Sequence, residues 1–533
     1  MPSKKKSQRR KHTEPSAPRA SVPGAAQDVF PAVIYADTVL AANFEDAKRY
    51  FLTALLEIHY AHTLMLRRQH ILSAAEARIC LQAIDNLDLA AIRSASYAAG
   101  FEDLFFYIEK KLFEDCGDTA GKMHIARSRN DIDLCLYRMT LRREVLKVAA
   151  AMQRVHDVLL DLAEPNTHTL MPAYTHTQPA QPTTLAHYLM AAVELFGRDV
   201  ARLRSAYATI NRSPLGACAI TTTGFPIDRD YTAGLLGFEG LQLNSYGAIA
   251  AIDYLTEAAS TVAVAMINLG RLVQDLLLWC TEEFGFLRLS DSYVQVSSIM
   301  PQKRNPVSLE HTRILASKSF SQAQAILTSV HNTPFGDIVD CEDDLQPLAF
   351  AVFTDAERAL KLFAGVMAHS EVNRERMRRR AEGSFLTVTE LADTLVRREA
   401  LSFRQAHQLV SAAVHALIGK QDTGHETDGH AGTDSGYGPV QLVDELERLA
   451  PRMIRRGLKI GRPELLVALD AQHFVQVRTI PGGPAPERVE EEIARARNDS
   501  ARMQSWLEEK SGLLERSSQS MRKEVAAQLK STP

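Results

Sequence analysis

Residues 247–284 read GAIAAIDYLTEAASTVAVAMINLGRLVQDLLLWCTEEF and are apolar on nearly every side of a helix. Such a helix lies inside a bundle, because a surface helix keeps one polar face. Apolar residues at three- and four-residue spacing mark further long helices, and strand-like alternation is scarce. The sequence therefore predicts an all-α (mainly helical) protein built around a long central helical bundle. The other long helices are expected at 139–163, 184–211, 306–331 and 345–370.

The composition is that of an ordinary folded protein and excludes several classes of function. Of 533 residues, 46% are hydrophobic and 23% charged, and the formal charge of −3 gives no overall attraction to nucleic acid or to a membrane. The six cysteines lie far apart without a CxxC pair, so neither a zinc ribbon nor a disulfide framework is expected. The apolar run Ala258–Gly270 is shorter than the about 20 residues that a bilayer span requires. With no apolar signal segment near the start, we expect a soluble, cytoplasmic protein.

Two segments have the composition of flexible, exposed chain. Residues 1–28 hold seven Lys or Arg among repeated Ser, Pro and Ala, which predicts a disordered basic tail; a polyanion-binding arm is the alternative. Residues 421–438 are rich in Gly, Asp, Thr and His, which predicts a flexible insertion. A metal cluster around His425 and His430 is the alternative there, but the spacing matches no known metal site.

Three polar segments do not have the composition of scaffold. Residues 121–131 place two arginines, a serine and an asparagine side by side before a helix, which suits carboxylate binding or, alternatively, a solvated helix start. Residues 171–182 form a proline-punctuated loop in which His176 is either a proton-transfer group or a structural histidine. Residues 296–306 hold two serines close to Lys303, which suits a serine base or a plain surface loop. Serine hydrolase chemistry is disfavoured, because no G-x-S-x-G motif surrounds either serine.

Together these segments resemble one enzyme family. The blocks ARSRND (126–131), THTQPAQP (175–182) and SSIMPQKRNP (297–306) are similar, in order and separation, to those of the fumarase/aspartase superfamily, and within it to argininosuccinate lyases. The resemblance covers about residues 45–500. It implies a homotetramer whose central helices form a twenty-helix core, with each active site drawing its three blocks from different subunits. It also implies three mostly helical domains, at 29–126, 127–380 and 381–533.

The resemblance further implies a reaction and a role for each candidate residue. Lyases of this family break a carbon–nitrogen bond beside two carboxylates and release fumarate, so a doubly charged aci-carboxylate must be stabilised by preplaced donors. Ser297 would be the general base and Lys303 would stabilise the aci-carboxylate. His176, oriented by Glu310 from a neighbouring subunit, would relay a proton. No metal or organic cofactor is implied, and the only partner besides a second copy is a small dicarboxylate-amine substrate. The implied substrate-binding residues are Ser128, Arg129, Asn130, Thr175, Gln178, Ser298 and Asn305.

The chain departs from the argininosuccinate lyase pattern where that family holds the amine end of the substrate. The EDIH motif of the family reads EDLF here and ends in Phe105. Residues 334–344 read PFGDIVDCEDD, with five acids where the family carries Tyr, Gln and Lys. An acidic segment can pair with an amine or a guanidinium but cannot hold a second carboxylate directly; a solvated acidic loop is the alternative. In spite of these departures, the resemblance of the three blocks favours argininosuccinate as substrate. It leaves open another N-(1,2-dicarboxyethyl) amine, such as ethylenediamine disuccinate, and a catalytically silent structural homologue.

Overall fold

A computed structural model describes residues 30–98, 100–383, 385–421 and 438–530 of the chain. Over these residues the protein is mainly helical, which confirms the all-α prediction. The predicted basic tail at 1–28 lies outside the described residues. So does the predicted insertion at 421–438, except for its first and last residues.

The described residues form 21 α-helices and six short strands. The helices up to the first long one are α1 Val33–Tyr35, α2 Ala41–Tyr50, α3 Leu52–Arg68, α4 Ala74–Asp85, α5 Leu89–Ser94, α6 Leu104–Cys116 and α7 Thr119–Lys122, with a π-helical turn at Ala36–Leu40. The middle helices are α8 Arg129–Ala163, α9 Leu185–Ile210, α10 Arg229–Leu235, α11 Ser245–Ala250, α12 Asp253–Trp279, α13 Val307–Val330 and α14 Gln346–Ala368. The last helices are α15 Arg374–Glu382, α16 Val388–Glu399, α17 Phe403–Gln421, α18 Pro439–Met453, α19 Arg462–Ala468, α20 Ala471–Gln476 and α21 Pro486–Lys530. The strands are β1 Leu170–Thr175, β2 Gln178–Thr184, β3 Leu287–Arg288, β4 Gln295–Val296, β5 Arg304–Asn305 and β6 Glu371–Val372.

The five long helices α8, α9, α12, α13 and α14 pack against one another as the predicted central bundle. The expected bounds of α9, α13 and α14 agree with the observed ones within two residues. The helix expected at 139–163 begins earlier, at Arg129, because Ser128 stands at its N-cap. The stretch 247–284 is not one helix, since Ala251 adopts an extended conformation and separates α11 from α12. The short α11 packs instead on a small apolar cluster of its own that includes Ala217.

Helix α12 is longer than the apolar run that marks it in the sequence. It spans 27 residues and is long and apolar enough to cross a membrane by length and composition, and half of its most apolar 18-residue window is buried inside the protein. The core helix of a soluble bundle has the same properties. Leu269, at 0% exposure, and Val262 lie in the main core, whereas Ile267 remains 46% exposed.

The final helix α21 runs back along the bundle. Gln153 Nε2 of α8 donates to Ser500 Oγ of α21 at 2.7 Å, and the Trp506 ring meets Tyr207 of α9 edge to face at 5.6 Å. Residues from 44 to 377 and from 489 to 525 thus share one core. A second core is formed within 391–469 by side chains such as Leu409. The three-domain division at 29–126, 127–380 and 381–533 stays a prediction.

The segment 171–182, which the sequence predicts to be a loop, is an antiparallel hairpin. Strand β1 pairs with β2 from Leu170↔Thr184 to Thr175↔Gln178, with an irregularity after Ala173. Proline cannot donate a ladder hydrogen bond, and prolines are tolerated here because each strand has only one neighbour within the described residues. The prolines that suggested a loop therefore occupy open strand edges.

Candidate active site

The first block is held in place by the carboxylate of Asp131. One carboxylate oxygen accepts the backbone N–H of Ser128 at 2.8 Å, and the other accepts those of Gly216 at 2.7 Å and Cys218 at 3.0 Å. Asp131 is fully buried, and burial raises the pKa of its carboxyl to about 6 in spite of these three hydrogen bonds. The start of α8 is thereby joined to the loop at 214–218. This contact joins residues far apart in sequence, and no local pattern indicated it.

Three candidate residues for substrate binding lie together at the start of α8. Ser128 Oγ donates to Asn130 Oδ1 at 3.0 Å, and Asn130 Nδ2 donates to the carbonyl of Ala219 at 3.1 Å. The guanidinium of Arg129 forms ion pairs with Asp103 and with Asp133, the latter at 2.9 Å. Arg129 therefore already meets two carboxylates of the protein itself.

A cluster of three histidines and an arginine, buried except for the partly buried His124, lies at the first block. Arg127 Nη1 is 2.9 Å from His59 Nδ1, and His62 Nε2 is 2.9 Å from the carbonyl of Ile125. Burial, followed by the charge of Arg127, lowers the pKa of His62 to about 3 and that of His124 to about 4, and it also lowers that of His59. The imidazoles are thus neutral, and a neutral ring nitrogen can accept from Arg127. In the sequence His59 follows Phe51, Leu52, Leu55 and Leu56 at helical spacing, a pattern that gives no sign of this cluster.

The second block forms the tip of the β1–β2 hairpin. His176 and Thr177 are the two turn residues, and both have positive φ, 51° and 61°, as a type I′ turn requires. Thr175 and Gln178 pair on either side of the turn, and all four side chains are exposed. In the described part of the chain the ring of His176 makes no hydrogen bond. The hairpin therefore presents His176 outward, away from its own protomer.

The third block is a second, smaller hairpin whose loop carries the candidate base. Strand β4 pairs with β5 by Val296↔Arg304. Ser297 Oγ accepts the backbone N–H groups of Met300 at 3.1 Å and Ile299 at 3.4 Å. Asn305 Nδ2 donates to the carbonyl of Gln295 at 3.0 Å.

The remaining candidates of the third block are open to solvent. Ser298, Lys303 and Glu310 are exposed, and none of these side chains has an ion pair or hydrogen bond within the described ranges. Glu310 lies in the first turn of α13, directly after the loop. Val296 and Ile299, which flank Ser297, are 74% and 82% exposed. An apolar loop this exposed has room for a partner on its outer side.

The blocks do not meet within one copy of the chain. The first begins α8 and the second follows its end, so the two lie toward opposite ends of a helix of 35 residues, about 52 Å long at 1.5 Å per residue. The hairpin of the second block contacts the chain that leads toward the third, since the Tyr174 ring lies 5.7 Å from the ring of Phe284. Among the described residues, no hydrogen bond or ion pair joins one block to another.

The acidic segment 337–344 lies beside the first block. Tyr137 lies one helical turn after Asp133 in α8, and its OH donates to Asp343 Oδ1 at 2.8 Å. Burial and the neighbouring carboxyl of Asp337 raise the pKa of Glu342 to about 8. Burial likewise raises the pKa of Asp133 to about 6, with the charges of Asp343 and Asp337 adding to it. This end of the bundle therefore holds more carboxyl groups than cations.

Known proteins similar to this chain cover most of its length. A family model described as "Lyase" matches residues 74–320, and one described as "Argininosuccinate lyase C-terminal" matches residues 385–430. Argininosuccinate lyase 2 of Agrobacterium fabrum is 41% identical over 88% of this chain and 90% of its own length. The argininosuccinate lyase of Methanoculleus marisnigri is 38% identical over 87% of this chain and 90% of its own length.

Solved structures agree with the fold. An EDDS lyase in complex with formate superposes with a TM-score of 0.81 at 32% identity, covering 91% of this chain and 93% of that one. The 3-carboxy-cis,cis-muconate lactonizing enzyme from Pseudomonas putida reaches a TM-score of 0.66 at 17% identity, which shows the shared fold alone. These likenesses confirm the predicted fold class.

Proposed function

We propose that this chain, which belongs to the argininosuccinate lyase family of carbon–nitrogen lyases, cleaves argininosuccinate into fumarate and arginine. The observation that carries this proposal is the 41% identity to an argininosuccinate lyase over 88% of the chain, with all three sequence blocks present. The activity would place the enzyme in arginine biosynthesis.

Ser297 is the proposed general base. It takes the proton from the carbon beside the substrate carboxylate, and the C–N bond then breaks on the opposite face. A serine hydroxyl deprotonates only where its alkoxide is stabilised. The N–H groups of Ile299 and Met300, which already point at Ser297 Oγ, favour the charged form. Lys303, in the same loop, supplies a cation for the aci-carboxylate.

The other candidates divide between holding fumarate and moving the second proton. Ser128 and Asn130 would hold one carboxylate at the start of α8, and Arg129, whose charge Asp103 and Asp133 already balance, would add its remaining N–H donors. His176 would protonate the leaving nitrogen, with Glu310 of another copy as its orienting partner. Thr175, Gln178, Ser298 and Asn305 would complete the donors around the dicarboxylate.

Several copies must combine to complete such a site, and we propose a homotetramer with shared sites. In one copy the first two blocks lie toward opposite ends of α8, which is about 52 Å long, so a site that contains both needs a second copy packed antiparallel to the first. The outer sides of α12 and α13 support this arrangement, since Val264, Ile267 and Ile314 are 38%, 46% and 53% exposed. Mixing Asn130→Ala and Ser297→Ala proteins after partial unfolding tests it, because mixed assemblies contain some intact sites. Activity no greater than that of either variant alone would contradict shared sites.

Fumarate release, followed by ultraviolet absorbance with argininosuccinate as substrate, tests the proposed activity. Ser297→Ala should abolish turnover while the assembly elutes unchanged from a sizing column. Ser321→Ala is the matched control, since this exposed serine of α13 donates only within its own helix. Turnover by Ser297→Ala equal to that of the control would remove Ser297 from the base role.

The acidic segment favours a second candidate substrate class, the N-(1,2-dicarboxyethyl) diamines such as ethylenediamine disuccinate. The carboxyls of Asp337, Glu342 and Asp343 lie at the same end of the bundle as the first block. A diamine adduct carries a second amine nitrogen two carbons from the nitrogen of the breaking bond, and a carboxylate can pair with that nitrogen when it is protonated. Parallel assays decide between the substrates: release from the diamine adduct alone would favour this class, and robust release from argininosuccinate would contradict it.

We also propose a cytoplasmic location. All six cysteines are free thiols in the structure, including the buried Cys80, Cys135 and Cys218. Thiols persist in a reducing compartment. Cell fractionation with a tagged chain checks this proposal, and recovery in a membrane or extracellular fraction would overturn it.

A further inference from the structure

A cavity of about 580 Å³ lies between α9 and α21, outside the three blocks. Its apolar walls include Met190 and Val193 of α9 and Met503 of α21, and His156 of α8 lies at its base. The volume is that of an ordinary small-molecule site. None of its lining residues belongs to the proposed active site.

The rim of this cavity carries arginines without acidic partners. Four arginines and three acids line it, and two pairs satisfy each other: Arg198 with Glu194, and Arg502 with Asp499. The last acid, Glu492, makes no ion pair among the described residues.

Two guanidiniums remain for a ligand. Arg495 makes no ion pair or hydrogen bond with any described residue. Arg204 has neither, and its guanidinium lies over the Trp506 ring, 5.5 Å from the centroid. A guanidinium held on an aromatic face keeps its N–H edges free for an anion.

The base of the cavity holds a buried polar atom without a partner. His156 is 2% exposed, and its Nδ1 has no hydrogen bond; the nearest carboxylate oxygen, Asp157 Oδ1, is 3.8 Å away. Nδ1 itself has no accessible surface, so a ligand in the cavity would meet the ring through its other nitrogen, Nε2, which makes no hydrogen bond with any described residue. The cavity thus offers cations at its rim, apolar walls and one polar contact at its base.

A glycine keeps the cavity open. Gly197 lies in the interior of α9, where glycine is a poor helix former, and a Cβ built on it would meet no atom within 4 Å. A larger side chain at this position would enter the cavity without a clash against the surrounding protein.

We propose that this cavity binds an amphiphilic organic anion, with its apolar body between α9 and α21 and its carboxylate or sulfonate paired with Arg204 and Arg495. The apolar walls exclude a bare inorganic anion as the best ligand, and the unpaired guanidiniums exclude an organic cation. The site is independent of the lyase reaction.

The test uses anilinonaphthalene sulfonate as the probe, because it is an anion whose fluorescence rises in apolar surroundings. The chain has two tryptophans, and Trp506 lies beside the cavity whereas Trp279 lies in the bundle core. In a Trp279→Phe background, saturable energy transfer from tryptophan to the probe then reports binding near Trp506. Direct probe titration of the unaltered protein gives a second measurement if that background folds poorly.

The variants that decide the proposal fill the cavity or remove its charge. Gly197→Leu, and separately Arg204→Gln with Arg495→Gln, should each weaken probe binding roughly tenfold. Gly234→Leu is the matched control, since a Cβ at this other helical glycine also meets nothing within 4 Å and Gly234 lies outside the cavity. Octanoate should displace the probe, and octylammonium should not. Unchanged affinity in Gly197→Leu, or equal displacement by octylammonium, would overturn the proposal.

Discussion

Replacing Asp131 tests whether a single buried carboxylate holds the start of α8. Three backbone N–H groups, of Ser128, Gly216 and Cys218, share its two oxygens. In Asp131→Asn one oxygen becomes an NH₂ group, so at least one of the three donors loses its acceptor, whereas Asp131→Ala leaves all three without one. Each orphaned buried donor costs about 1–3 kcal/mol. We therefore expect Asp131→Asn to cost about 1–3 kcal/mol and Asp131→Ala about 3 kcal/mol or more.

The difference in stability between Asp131→Asn and the natural chain should depend on pH. Burial raises the pKa of Asp131 to about 6 in the folded protein, against about 3.9 in an unfolded chain. Between these values the folded state binds a proton that the unfolded state does not, so the contribution of this group to stability grows as the pH falls from about 6 toward 4. A difference of about two pH units corresponds to about 3 kcal/mol. Asp131→Asn does not titrate, so its deficit relative to the natural chain should widen over that range.

Urea denaturation followed by circular dichroism, at one protein concentration and several pH values, measures both effects. Hydrogen exchange at 128–131 gives a local readout, and a rise in KM for fumarate release reports displacement of Ser128 and Asn130. Asp470→Asn is the control, because this carboxylate accepts one N–H, that of His473, at an exposed helix start. If Asp131→Ala is no less stable than Asp131→Asn, the three backbone N–H groups do not each depend on this carboxylate.

Three further predictions concern stability. Leu269→Ala should cost about 2–5 kcal/mol of unfolding free energy, measured by heat or urea, because it empties part of the bundle core. Ile267→Ala, at a position that is 46% exposed, is the comparison in a dissociated protomer. A cost for Leu269→Ala no larger than that of Ile267→Ala would contradict the placement of Leu269 in the core. His59→Phe leaves the buried guanidinium of Arg127 without its acceptor and should cost about 2 kcal/mol, and His59→Asn should cost less; equal unfolding midpoints for the two would count against the hydrogen bond. The hydrogen bonds that Glu399 accepts lower the pKa of its carboxyl, so its contribution to stability is present above about pH 4 and lost as the pH falls through the lowered pKa. Acid titration of Glu399→Gln against the natural chain should show a smaller loss below that pH, and identical curves would contradict it.

The five bundle helices could be predicted because each carries its own apolar signal along one stretch of chain, whereas the 45-residue α21 was not predicted. Apolar periodicity placed α9 within a residue of its observed ends. The break at Ala251 was missed, because the packing of α11 on Ala217 is a tertiary contact. The β1–β2 hairpin was missed because its prolines favour a loop locally, and only the open strand edges make them acceptable.

The candidate site shows the same division between local and distant information. Sequence motifs identified Ser128, His176 and Ser297 by their neighbours in the chain. They did not identify Asp131 as the residue that orients the first block, since two of its three partners, Gly216 and Cys218, lie more than 80 positions away. They also did not show that Asp133 and Asp103 would neutralise Arg129, because ion pairs between separate elements leave no local pattern.

The 35-residue length of α8 makes insertions and deletions in this helix costly in a way that substitutions are not. One added residue advances the helix by about 1.5 Å and rotates everything beyond it by about 100°. Such a change would turn the hairpin that carries His176 out of register with the start of α8 in every copy at once. No single neighbouring helix could compensate, because α9, α14 and α21, which pack along α8, would each face a rotated surface. Changes of chain length are therefore expected to accumulate in the connections between helices, while the five long helices keep their residue counts.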